Sequence, residues 1–242
     1  EVVYERASKE KLDQLNCLKT EFIASVSHEL RTPLSSIQGL TELLHEGKIR
    51  EEAKKEEALD TLASESGRLS RLIHNILDFG KIEQGTKTYH LERTEVRPLV
   101  EETARVFRRR LDEGGFALHL RLPSAPVWLM ADRDAVEQVL LNLLDNAIKY
   151  SPQRKEIEVE VLTGPGEVEI RVGDRGIGIP ADQLELIFEK FHRGPEAARI
   201  NPKGVGLGLK IVRHIMAAHR GEILIEGRTG GGSMFRLIFP KG

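Results

Sequence analysis

The sequence predicts an α+β chain: an N-terminal two-helix hairpin over residues 1–83, followed by an α/β sandwich over residues 84–242. Three observations carry this reading. From about residue 8 to 83 the apolar residues recur in steps of three and four. Beyond Gly85 short runs of β character alternate with helical stretches. Proline, represented in the first block by Pro33 alone, thickens together with glycine after residue 163.

In the first block Leu15, Leu18, Phe22, Val26, Leu30, Leu34, Ile37, Leu40 and Leu44 mark one face of an α-helix. After a break near Gly47, Leu59, Leu62, Ser66, Leu69, Ile73 and Ile76 alternate three and four as a heptad does. A lone hairpin leaves one side of each stripe wet, so two copies are expected to pair into a four-helix bundle. Periodicity alone fits a coiled-coil spacer equally well.

In the second block strands are expected at Tyr89–Arg93, Phe116–Leu122, Val127–Ala131, Ile157–Leu162, Val168–Gly173, Glu222–Glu226 and Ser233–Phe239. Helices are expected near Val96–Leu111, Arg133–Tyr150, Ala181–Phe191 and Gly206–Ala218.

Composition narrows the classes. With 40% hydrophobic and 31% charged residues, the 242-residue chain has material for a core. Its 36 basic and 38 acidic residues leave a net charge of −2, which gives no electrostatic reason to expect nucleic acid. No stretch approaches the ~18 uncharged apolar residues of a membrane helix, so no membrane contact is expected of this portion. The single cysteine, Cys17, excludes an intrachain disulfide and fits a reducing compartment. Near the upstream end of a helix, it reads as a helix residue before a thiol sensor. The chain opens at Glu1 with neither methionine nor a signal-peptide pattern, as a piece of a longer protein would.

Four strings carry chemistry. Ser27-His28-Glu29-Leu30-Arg31-Thr32-Pro33-Leu34 lies inside the first helix, with Leu30 and Leu34 towards the bundle core and His28 on the flank, reaching solvent. A neutral imidazole there is a nucleophile whose second nitrogen can pass its proton to adjacent Glu29. Thr32 offers a hydroxyl to orient a water, and Pro33 predicts a bend. Taken singly, a helical histidine such as His28 reads first as a solvated surface residue, although an internal Pro33 makes that reading less comfortable. Asn142-Leu143-Leu144-Asp145-Asn146-Ala147-Ile148-Lys149-Tyr150-Ser151 puts Asn142, Asn146 and Lys149 on one helix face. Amide oxygens suit Mg²⁺, and the lysine suits phosphates. Asp174-Arg175-Gly176-Ile177-Gly178-Ile179 combines an amino-group acceptor with a loop that passes close to a ligand. Gly204-Val205-Gly206-Leu207-Gly208-Leu209 runs into a helix whose N–H groups can face phosphate oxygens. It has neither Rossmann nor Walker A spacing.

In this order the motifs resemble the sensor histidine kinases of two-component signalling, over about Lys11 to Pro240. The resemblance implies a dimerisation and phosphotransfer domain (1–83) and an ATP-binding catalytic domain (84–242). Ser27–Leu34 is similar to the H box, which makes His28 the phosphoacceptor, Glu29 its general base and Thr32 the phosphatase residue. Asn142–Ser151 is similar to the N box, with Asn146 implied as the Mg²⁺ ligand and Asn142, Lys149 and Tyr150 at the nucleotide. Asp174, Gly176 and Gly178 correspond to the G1 box, whose Asp meets the adenine amino group. Ile187–Arg193 resembles the F box, with Arg193 near the γ-phosphate. Gly204, Gly206 and Gly208 form the G2 box, and Gly231–Phe235 a final glycine signature. Arg175 and Val205 depart from the residues the family often has. Gly194–Lys203 would be a mobile lid over ATP.

The resemblance implies ATP and Mg²⁺ as cofactors, a homodimer through the hairpin, and a response-regulator receiver domain as partner. This portion is expected to be cytoplasmic, whether or not its parent is membrane-anchored. Related ATPases of the chaperone, topoisomerase and mismatch-repair kind place a Glu base where Asn142 stands, and an amide cannot take a proton. A non-catalytic scaffold is the third reading, opposed by intact His28, Glu29 and Asn146.

Overall fold

The computed structural model describes residues 2–190, 192, 194–200 and 205–241, with side chains from Thr20 onward except those of Glu21 and Arg109. The side chains of Cys17, Leu15 and Leu18 lie outside the described residues, as do Arg193 and Gly204. Two compact units part between Gly80 and Lys81.

The first unit is built from α1 (Val2–His45) and α2 (Glu52–Glu83). The helices run antiparallel: the Phe22 and Phe79 rings meet at 6.1 Å, and Glu29 faces Arg68 from the other helix. The turn begins at Gly47, where N–H groups of Gly47 and Lys48 satisfy the carbonyls of Leu44 and Leu43 at 3.2 and 3.0 Å. That doubly bonded ending needs a left-handed residue, and glycine takes it without a Cβ penalty. α1 continues through Pro33, which is buried. Leu34, expected towards the core of a bundle of two hairpins, is 45% exposed in the single chain, and Ile23, Leu43, Leu59, Ile73 and Leu77 are exposed with it.

The second unit carries a five-stranded sheet of order β2-β4-β5-β7-β6, made of β2 (Ala117–Arg121), β4 (Glu156–Gly164), β5 (Glu167–Asp174), β6 (Glu222–Gly227) and β7 (Ser233–Pro240). β2 and β4 are parallel and the other pairings antiparallel. β1 (Glu92–Glu95) pairs with β3 (Trp128–Ala131) in a separate antiparallel ribbon. Period-two alternation turns Ile157, Val159 and Val161 of β4 and Phe235, Leu237 and Phe239 of β7 inward. On this side of the sheet α3 (Val96–Gly114) packs on β2, α4 (Arg133–Tyr150) on β4 and β5, and α6 (Gly208–Ala218) on β6. α4 buries Val136, Val139, Leu140, Leu143, Leu144 and Ala147, one stripe of a 3.6-residue period. Asp132 caps it, accepting the Ala135 N–H at 3.0 Å.

On the outward sheet face Glu169 is held between Arg236 and Arg171. Hydrogen bonds from Arg236 and then Arg171 outweigh the desolvation of Glu169 and bring its pKa down to about 2.

Two expectations are corrected. The helix expected at Ala181–Phe191 is a pair of 3-10 turns, Ala181–Gln183 and Leu186–Phe188, after which Glu189 is extended. Phe188 is buried, with Arg213 of α6 over its ring at 5.2 Å, and burying that ring bends the chain out of helix. The first strand starts at Glu92 and not at Tyr89, because Tyr89 packs edge-on to the buried His219 at 5.6 Å and His90 donates its N–H to Asp132. The segment expected as a lid contains α5 (Pro195–Ile200).

Candidate functional site

In the hairpin, His28 is exposed on α1. One residue on, Glu29 is only 7% exposed, and its carboxylate lies 3.9 Å from Arg68 on α2. Successive helical residues point about 100° apart, so the two side chains diverge. The Thr32 hydroxyl donates to the His28 carbonyl at 3.2 Å and sits on the same exposed flank.

In the second unit three predicted strings converge around the C-terminal half of α4. Asn142 meets the first turn of α6: a Cβ added at Gly208 would lie 3.5 Å from the Asn142 Oδ1. Leu207, the residue before α6, supplies no side-chain cap. The N-terminus of α6 therefore presents backbone N–H groups and the positive end of a helix dipole. Gly206, just before it, has φ +72°.

Lys149 is not a free point charge. Its Nζ pairs with Asp145 Oδ2 at 2.7 Å, and Asp145 Oδ1 takes Arg110 of α3 at 2.5 Å. Burial of Asp145 resists ionisation, but Lys149 and Arg110 outweigh it and hold the carboxyl below its usual value. Residue types at one-turn spacing could have shown the Asp145–Lys149 pair; Arg110, 35 residues upstream, left no signal in the sequence.

At the far end of α4 the Tyr150 carbonyl accepts the Ile177 N–H at 3.1 Å, joining the N-box helix to the glycine loop after β5. Gly176 fits against that junction. An added Cβ would sit 2.7 Å from the Tyr150 carbonyl carbon and 2.9 Å from Ser151 Oγ. Ser151 is fully buried, and its Oγ has no hydrogen-bond partner among the described residues. Gly178 takes φ +74°, and an added Cβ would meet the Gly232 backbone only at ordinary contact distance, 3.5 Å.

Asp174, the last residue of β5, is buried. Oδ1 accepts two backbone N–H groups, from Gly176 at 2.8 Å and Ser233 at 3.2 Å. Both bonds fall on one oxygen, so among the described residues Oδ2 carries neither of them. Burial pushes the carboxyl up from its ordinary value, against the pull of the Gly176 and Ser233 N–H groups and the Arg228 charge. The turn that delivers the Ser233 N–H was legible as a glycine run; its arginine supports were not.

The structure thus brings Asn142 to Gly208, Tyr150 to Gly176, and Asp174 to the Gly231–Ser233 turn, while Asn146 lies on the same α4 face. A buried carboxylate, a helix N-terminus without a side-chain cap and two helical amides lie on neighbouring elements of the second unit. The family described as "Histidine kinase-, DNA gyrase B-, and HSP90-like ATPase" matches residues 131–242, which makes this unit an ATP-binding module of that class. The family "His Kinase A (phospho-acceptor) domain" matches residues 18–85.

Among known proteins, the chain is 32% identical over 239 residues to the Sensor protein SrrB of Staphylococcus aureus, covering 99% of this chain and 40% of that protein. It spans about 40% of the length of the curated relatives it matches. In structure it is similar to the Acinetobacter baumannii histidine kinase AdeS (TM-score 0.59, 28% identity, 89% of this chain and 98% of that one). It is also similar to full-length ShkA in complex with AMPPNP (TM-score 0.61, 27% identity, 92% of this chain and 46% of that one). The chain belongs to the sensor histidine kinases and carries their catalytic core.

Proposed function

We propose that this chain is the autophosphorylating core of its parent protein, with a phosphotransfer domain at 1–83 and a catalytic domain at 84–242. It moves the γ-phosphoryl group of ATP to His28, and the phosphohistidine then serves an aspartate on a response-regulator receiver domain. One observation carries this reading: a solvent-exposed histidine on a phosphoacceptor hairpin shares a chain with a module whose Asp174 and α6 N-terminus suit a nucleotide.

Asp174 Oδ2 accepts the adenine amino group. The amides opening α6 at Gly206 and Gly208, with Asn142 and Lys149, take the phosphates; Gly204 and Arg193 join them by resemblance. Tyr150 closes the pocket through its backbone bond to Ile177. Among the described residues no group of three or more His, Cys, Asp or Glu side chains is placed to hold a metal ion. The α4 amides therefore suit Mg²⁺ brought in on the triphosphate, with Asn146 as protein ligand. Bound there, the metal would neutralise phosphate charge.

In transfer, a His28 ring nitrogen bonds to the γ-phosphorus as the bond to the ADP oxygen breaks. The proton on the other nitrogen goes to Glu29, whose carboxylate must first leave Arg68. Thr32 orients the water that removes phosphate from the regulator. The exposed flank of Ile23, Leu34, Leu59, Ile73 and Leu77 supports a homodimer in which a second hairpin covers it. No described helix is long and apolar enough to cross a membrane, and this portion acts on the cytoplasmic side. The hydrolase reading lacks a base, because an amide at Asn142 cannot take a proton from water.

The test is incubation with γ-labelled ATP and Mg²⁺ beside His28→Ala. Acid-labile, base-stable label that disappears in the variant is expected. Phosphate released to water, with unlabelled protein, would refute the kinase assignment.

A further inference from the structure

The turn between β6 and β7 is more heavily tied down than a surface hairpin requires. Arg228 closes it through its backbone, donating its N–H to the Gly232 carbonyl at 3.1 Å and accepting from Gly231 at 3.0 Å. Its side chain then turns back across the sheet. Nη2 pairs with Glu158 of β4 at 2.6 Å, each side chain only 14% exposed, and Nη1 donates to the Asp174 carbonyl at 3.2 Å.

The route is open only because β5 has glycine at 173. Glu158, Gly173 and Met234 sit side by side across three strands, and a Cβ on Gly173 would come within 2.7 Å of the Arg228 guanidinium. Two further arginines hold the same turn from neighbouring loops. Arg175 donates to the Thr229 carbonyl at 2.8 Å and Arg154 to the Gly230 carbonyl at 2.7 Å. At the end of this turn stands the Ser233 N–H that Asp174 Oδ1 accepts.

We infer that Arg228, anchored by Glu158, is a positioning residue for base recognition: it locks the β6–β7 turn to the backbone of Asp174 and so aims that carboxylate at the purine amino group. This rests on Asp174 being the adenine acceptor. The guanidinium touches the carbonyl of Asp174 and not its carboxylate, so it acts through the direction of that side chain. A planar fork bridges a carboxylate and a carbonyl in fixed geometry, which an ammonium cannot reproduce.

The experiment compares binding of ATP with binding of purine riboside triphosphate, which lacks the 6-amino group, both with Mg²⁺. Wild type, Arg228→Gln, Arg228→Lys and Glu158→Gln are titrated as the whole 242-residue chain, each with its unfolding midpoint. Losing a hydrogen bond to a charged group is worth roughly 10–100-fold, so Arg228→Gln is expected to bind ATP at least about tenfold more weakly. The triphosphate without the amino group should change by less than about threefold. Arg228→Lys should recover part of the preference, and Glu158→Gln should lose part of it. An Arg228→Gln protein that keeps the full ATP preference overturns the inference, as does one that loses both ligands equally. Failure of the underlying reading looks different: the wild-type protein itself would then not distinguish the two triphosphates.

Discussion

Gly176 and Gly178 stand two residues apart in the same loop, and the structure ranks them. At Gly176 an added methyl would lie 2.7 Å from the Tyr150 carbonyl carbon, whereas ordinary carbon contacts begin near 3.4 Å. The Tyr150 carbonyl oxygen lies nearer still, so the loop must retreat by about 1 Å, enough to stretch the 2.8 Å bond from the Gly176 N–H to Asp174 beyond useful length. A hydrogen bond to a charged group is worth about 1.5–3 kcal/mol, and overpacking adds about 1–3 kcal/mol that falls mainly on folding. Gly176→Ala is thus expected to weaken ATP binding by about 2 kcal/mol, roughly 30-fold, and to lower the unfolding midpoint of the second unit by several degrees. At Gly178 the nearest atom to an added Cβ is 3.5 Å away, so Gly178→Ala meets only the cost of φ +74°, about 1 kcal/mol and roughly fivefold in binding. Calorimetric titration with ATP and Mg²⁺, beside scanning calorimetry, measures both. Gly176→Ala binding within twofold of wild type, or better than Gly178→Ala, would refute the packing argument.

Glu169→Gln should destabilise the second unit by about 1–2 kcal/mol at neutral pH; the full linkage of its depressed pKa, about 3 kcal/mol, is reduced by the water-facing side of the sheet. Because the folded pKa is lowered, from 4.5 to about 2, the contribution is complete above the unfolded value and fades as pH falls through that window. Urea unfolding at pH 7 and pH 3.5 checks this, and a gap between variant and wild type that fails to narrow contradicts it. Glu29→Gln is expected to slow autophosphorylation by about 10²–10⁴-fold with ATP affinity nearly unchanged, the usual span for a lost general base. Wild-type rates would remove Glu29 from the mechanism. Thr32→Ala should retain autophosphorylation and lose dephosphorylation of the phosphorylated regulator, followed by regulator phosphate over time; normal dephosphorylation sinks the assignment.

The elements legible from the chain are those whose local signals agree. α4 has an Asp132 cap, a 3.6-residue apolar stripe and a proline at 152, and it runs from Arg133 to Tyr150 as its pattern predicts. β4 and β7 alternate in period two, and all five strands of the central sheet fall within two residues of their expected spans. Where local and distant demands conflict, the distant ones prevail. The helix expected from 181 onward has helix-forming composition, yet burial of Phe188 beneath α6 breaks residues 181–188 into two tight turns. Tyr89 and His90 have strand character, but their partners are His219 and Asp132, so the ladder starts later.

The candidate site divides along the same line. Its residue types were readable because each motif is a short contiguous string whose chemistry depends on spacing along the chain. His28 and Thr32 one turn apart, three glycines entering α6, and an acid after an apolar strand are properties of neighbours in sequence. What those residues touch could not be read, because contact depends on separations of tens of residues that a local pattern does not encode. Lys149 is charge-paired through Asp145 to Arg110, and Glu29 lies under Arg68. Asp174 is aimed by a turn 59 residues downstream. Folding brings these partners together by burying apolar faces, and the charges must then settle wherever desolvation and the nearest opposite charge allow.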